Sequence, residues 1–181
     1  MCIRDRKWGA SLYHKARGIS NSPVIAETED PRSISREITF NTDSIDPLLL
    51  ESTLIYLTEK SAAQLRISKL FTSTITLKLR YSDFKTVTRS QTFSSPTAAD
   101  YKLFKTAIKL FQNTFNRKIR VRLIGVSLTS LTSHPYHQKN LFDPKDGKQW
   151  DALYHGIDRI RKKYGFTSIL RAASSNKVRG K

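Results

Sequence analysis

Phe71-Thr72-Ser73-Thr74-Ile75-Thr76-Leu77-Lys78-Leu79-Arg80-Tyr81-Ser82-Asp83-Phe84-Lys85-Thr86-Val87-Thr88-Arg89-Ser90 is the stretch on which the reading of this chain turns. Ile75, Leu77, Leu79 and Tyr81 alternate with Thr74, Thr76, Lys78 and Arg80. A period of two puts one set on a buried face and the other on an open one. Thr72 to Tyr81 and Lys85 to Phe93 therefore read as two strands joined by a short turn. The open face combines cations with hydroxyls, a pairing suited to gripping a nucleic-acid backbone.

Working outward, Arg32 to Phe40 alternates and predicts a first strand. Asp46-Pro47 predicts a helix start, with Asp46 as cap, Pro47 at the first helical position and Ile45 stapled onto Leu50. Leu50, Leu54, Leu57 and Leu65 give that helix one apolar face. Pro96 to Asp100 opens a second helix, with Thr97 and Asp100 at capping-box spacing and Phe104, Ile108, Phe111 and Phe115 as its buried stripe. Lys118 to Leu131 predicts the last strand, where Arg120 and Arg122 alternate with Val121 and Leu123. Gly125 marks a bulge or a close backbone approach. The order strand, helix, strand, strand, helix, strand predicts an α+β fold of split β-α-β type. Four strands form one sheet, two helices cover one face, and the other face carries the cations.

The flanks differ in character. Residues 1–6 read as a start unrelated to the rest of the chain. Trp8, Leu12 and Ala16 share a helical face, and Gly18 suits the position after that helix. Residues 25–31 read as a polar linker between this segment, 7–24, and the sheet domain, 32–134. Residues 135–173 form an extension in which Trp150, Leu153, Tyr154, Ile157 and Ile160 predict a third amphipathic helix ending before Gly165. Residues 174–181 read as a disordered basic tail.

The chain has 181 residues and a formal net charge of +17. Such a charge works against a compact monomer unless a polyanion is the partner. No apolar run approaches the roughly 20 residues a membrane helix needs. One cysteine, Cys2, excludes an internal disulfide framework, and four scattered histidines do not make a metal site. A cytoplasmic, monomeric protein that binds nucleic acid and no membrane is expected. The sheet candidates for contact are Arg32, Ser33, Ser35 and Arg36 on the first strand and Lys78 and Arg80 on the second. Thr88, Arg89 and Ser90 are those of the third strand, and Arg120 and Arg122 those of the last.

Three of these segments together resemble a known family. Arg32-Ser33-Ile34-Ser35-Arg36-Glu37, Leu77 to Ser90 and Val121-Arg122-Leu123-Ile124-Gly125-Val126 are similar to the little finger of DinB/UmuC-type Y-family translesion DNA polymerases, the DNA polymerase IV group. Trp8-Gly9, Ala16-Arg17-Gly18 and Pro23-Val24 resemble the end of that family's thumb. The resemblance implies a domain that holds the template–primer duplex by its backbone in the major groove. It also implies a palm that binds magnesium, and the expectation is that this chain lacks the palm. On that expectation it has no catalytic residue, no cofactor and no metal of its own. Gln138-Lys139-Asn140-Leu141-Phe142 resembles the short peptide by which replication proteins dock on the sliding clamp, with Gln138, Leu141 and Phe142 as contacts. Lys139 departs from the aliphatic residue usual there, and Leu141 and Phe142 could instead pack the third helix.

Two other classes compete. A free-standing, sequence-nonspecific nucleic-acid-binding module would use the same sheet. An RNA-recognition domain would need exposed aromatics on its central strands, where Thr, Lys and Arg stand. No constellation of an independent enzyme is present, and Asp43, Asp46 and Asp83 read as cap and turn residues.

Overall fold

The computed structural model describes residues 7–20, 23, 31–134 and 147–174. Two compact units divide the chain, Met1–Asp30 and Pro31–Lys181. In the first, helix α1 (Lys7–Ala16) ends on Gly18 at φ 75°, whose N–H donates to the Lys15 carbonyl. That left-handed conformation is the reason for glycine there.

The second unit contains strands β1 (Ile34–Ser44), β2 (Phe71–Tyr81), β3 (Thr86–Thr97) and β4 (Val121–Thr132), with helices α2 (Pro47–Ile67), α3 (Asp100–Thr114) and α4 (Gly147–Tyr164). The sheet is antiparallel throughout, in the order β1-β4-β2-β3. Two crossovers therefore interleave: β4 lies between β1 and β2, and β2 lies between β3 and β4. The α+β class and the two-layer plan agree with the expectation. The strand ends do not: Arg32, Ser33 and Arg120 lie just outside the strands.

One face of the sheet is the core. Ile75, Leu77 and Leu79 meet Val121, Ile124, Val126 and Leu128 there, under Leu50, Leu54, Leu57 and Leu65 of α2. Asp46 caps α2 as expected, its carboxylate accepting the Leu48 N–H at 3.0 Å, with Pro47 first in the helix. The second helix departs from expectation. Its buried stripe is Asp100, Leu103, Ala107 and Phe111, whereas Phe104, Ile108 and Phe115 are only half-buried. The stripe is rotated because Leu103 and Ala107, smaller than phenylalanine, let α3 seat closely. No capping box forms: Thr97 Oγ1 accepts the Ala99 N–H, and Asp100 is taken by Arg66.

Arg66 explains how the C-terminal helix is held. Its guanidinium donates to Asp158 of α4 at 2.6 and 3.0 Å, to the Ala98 carbonyl at 2.9 Å, and to Asp100. It also lies 4.9 Å from the Tyr154 ring. Of the α4 residues read as an apolar face, Tyr154 is buried, whereas Trp150, Leu153 and Ile160 are exposed. Ion pairing, more than apolar burial, fixes this helix. A second charge cluster lies alongside: Glu59, 1% exposed, has Arg171 Nε at 2.7 Å and Arg161 Nη2 at 3.5 Å. Burial works against the Arg66 charge, but the carboxylates of Asp158 and Asp100 outweigh it and raise its pKa. Burial pushes the Glu59 and Asp100 carboxyls up, against the arginines beside them.

A raised carboxyl pKa in the folded state contributes stability at acid pH that is lost as pH rises through the raised value. Glu59→Gln removes one such titration. The stability of the parent chain minus that of the variant should therefore shrink as pH rises from 5 to 8 in urea melts; a difference that grows with pH contradicts the assignment.

Candidate nucleic-acid interface

The registers fix which side chains share the open face. Thr76 lies opposite Ser127 on one side and Ser90 on the other; Lys78 lies opposite Gly125 and Thr88; Arg80 lies opposite Leu123 and Thr86. On β1, Ser35 aligns with Ser127, Glu37 with Gly125 and Thr39 with Leu123. Four cross-sheet rows result: Thr129-Thr74-Thr92, Ser35-Ser127-Thr76-Ser90, Glu37-Gly125-Lys78-Thr88 and Thr39-Leu123-Arg80-Thr86. The face is a field of hydroxyls with two cations near its centre, more neutral than the sequence suggests.

Neighbouring hydroxyls are bonded to one another. Thr76 Oγ1 and Ser90 Oγ are 2.9 Å apart, Thr74 Oγ1 and Thr92 Oγ1 3.1 Å, and Arg80 Nε donates to Thr86 Oγ1 at 3.0 Å. Each hydroxyl can also donate to an anionic oxygen such as that of a phosphate. Lys78 Nζ reaches over the intervening strand β4 to Glu37 Oε2 at 2.7 Å. Gly125 lies beneath that bridge and lets β1 approach closely, since a Cβ on it would stand 2.8 Å from Glu37 Cβ and 3.3 Å from the Arg36 carbonyl oxygen. The close approach read at Gly125 is present; the bulge falls nearby, between the pairs Arg80–Leu123 and Tyr81–Val121, and leaves Arg122 as the extra residue. A shallow groove of about 300 Å³ lies over the two middle rows, lined by Ser35, Glu37, Thr76, Lys78, Thr88 and Ser127, with Arg36 at its side.

Ser35, Lys78, Arg80, Thr88 and Ser90 share the open face. Arg36 and Arg89 do not. Arg36 pairs with Val126 and Arg89 with Leu77, both core positions, so each starts on the helix side of an edge strand. The period of two that placed Thr88 and Ser90 on one face excludes Arg89 between them. Arg89 Nη1 bonds the Thr88 carbonyl, and the buried Nε of Arg36 has no hydrogen-bond partner. Arg122 sits at the end of the sheet, its guanidinium 5.0 Å from the Phe84 ring and 3.9 Å from Asp43. Exposed Arg120 adjoins it, its carbonyl accepting the Ser82 N–H of the β2–β3 turn. Exposed Phe84, at φ 63° in that turn, was not among the sequence candidates. An apolar residue at a tight turn, where burial cannot explain it, was the available signal.

Gln138, Leu141 and Phe142 lie outside the described residues. Among the described residues, no group of three or more His, Cys, Asp or Glu side chains could hold a metal ion. No described helix is long and apolar enough to cross a membrane.

Comparison with known proteins places this geometry. Residues 31–141 match the impB/mucB/samB family C-terminal domain. A DNA polymerase IV of Dehalococcoides mccartyi is 38% identical over 159 residues, 87% of this chain and 40% of that one. A DNA polymerase IV of Desulfatibacillum aliphaticivorans is 34% identical over 170 residues, covering 91% and 42%. The chain thus spans about 40% of the length of the curated relatives it matches. Among solved structures, the PolIV little finger domain from a complex with the beta-clamp processivity factor gives a TM-score of 0.47 at 22% identity, over 61% of this chain and 99% of that one. That score is too low to bear on the fold, which rests on the strand registers. With its family match over more than half of its length and a relative 38% identical across 87% of it, this chain belongs to the impB/mucB/samB family and carries its C-terminal domain.

Proposed function

We propose that this domain grips the sugar–phosphate backbone of duplex DNA, as a monomer in the cytoplasm, for a translesion DNA polymerase that copies damaged template. The supporting observation is the open face, where Ser and Thr from all four strands surround Lys78 and Arg80. Hydroxyls and cations hold phosphates without reading bases, and synthesis past a damaged base needs a grip of that kind. The catalytic chemistry belongs to the palm that the family resemblance implies. A sliding clamp, engaged through Gln138, Leu141 and Phe142, is the second partner in this reading.

Two experiments test it. Arg80→Ala should weaken duplex binding about tenfold, equally on unrelated sequences, as expected for a phosphate contact. Arg89→Ala, on the opposite side of its strand, should change affinity less than about twofold, since a rim charge at that distance is largely screened by salt. Fluorescence anisotropy on two unrelated duplexes decides; equal losses in the two variants would contradict the assigned face. For the clamp, Leu141→Ala with Phe142→Ala should abolish pull-down of the sliding clamp, and unchanged pull-down removes that partner.

A further inference from the structure

Glu37 is the one carboxylate on the paired open-face rows of the described residues. A negative charge there opposes the binding of phosphate, and its position has a structural cost. The Glu37–Lys78 pair spans β4 over Gly125, where a Cβ would stand 2.8 Å from Glu37 Cβ. Glycine weakens a strand interior. The pair does not repay this as a sheet fastener, because its side chains are 52% and 35% exposed, a range in which ion pairs stabilise little. Stability therefore does not explain the three-residue arrangement.

We propose that Glu37 is a built-in counter-charge that limits how tightly the open face holds DNA; the inference rests on the backbone-grip reading above. In the free domain Lys78 is already ion-paired with Glu37. A phosphate arriving at Lys78 must either displace the Glu37 carboxylate or bind with that charge beside it. Both weaken the contact, so Lys78 contributes less than a free cation. A duplex that must advance after every added nucleotide needs a grip that releases, and a resident carboxylate supplies the competing partner.

The test is Glu37→Gln, which keeps the side chain's shape and an oxygen acceptor for Lys78 while removing the charge. Duplex affinity is measured for the parent chain and the variant at several salt concentrations, with thermal melts to confirm equal folding. The expected result is binding about five- to tenfold tighter at low salt, with a salt slope steeper by about one, the signature of one more phosphate neutralised by a freed cation. Unchanged or weaker binding by the variant, with the parent chain binding normally, overturns the counter-charge and leaves the grip standing. A parent chain with no affinity for duplex overturns the grip and the counter-charge with it.

Discussion

Arg66→Ala is expected to cost about 3–5 kcal/mol, because removing one partner of a buried ion pair leaves the other charge uncompensated. Asp100 is 3% exposed and Asp158 18%, and neither gains water enough to replace the guanidinium. Arg66 also ties three segments at once: α2, the β3–α3 junction through the Ala98 carbonyl, and α4 through Asp158. A domain of this size has a total stability of about 5–15 kcal/mol, so the loss is a large share of it. Urea melts should show the midpoint fall, and hydrogen exchange should show α4 losing protection before the sheet does. The solvent-exposed pair Lys85–Asp83 gives the contrast: Lys85→Ala should cost less than about 0.5 kcal/mol. Equal costs at the two sites would contradict the role assigned to Arg66.

Charge reversal at the centre of the open face is expected to have the largest effect on binding. Lys78→Glu together with Arg80→Glu should lower duplex affinity by about 100-fold at moderate salt and flatten the salt slope by about one, the phosphate held by Arg80, since Lys78 is already paired with Glu37. The two side chains project between hydroxyl rows rather than into the core, so the fold should survive with little change in its melt. The loss should be the same on unrelated sequences if the face holds phosphates alone, as proposed. A loss confined to one sequence would mean that the sheet reads bases, and no loss would place the binding surface elsewhere.

The sheet and its helix layer were legible because Ile75, Leu77, Leu79 and Tyr81 carry an unbroken period of two and the leucines of α2 a helical one. The Asp46-Pro47 helix start was legible for the same reason: the signal is local. What escaped is what depends on pairing between distant segments. Arg89 and Arg36 share the cationic composition of the open face but not its parity; the registers with Leu77 and Val126 put them on the other side. The Glu37–Gly125–Lys78 row joins three strands and has no local trace beyond a glycine within a strand pattern. Glu59 and Arg66 meet their ion-pair partners in the C-terminal segment, far along the chain, so nothing local marks them. Phe104, outside the buried stripe of α3, is instead partly covered by Arg171, 4.7 Å from its ring, a contact with a distant segment that no local pattern shows.

On the proposed function, this open face holds duplex DNA through its phosphates. The most direct test is the affinity of the chain for two duplexes of unrelated sequence, measured across a series of salt concentrations. With about five phosphates engaged, log K against log salt should fall with a slope near −4 to −5 on both. A flat dependence, or strong binding to only one of the two, would contradict it.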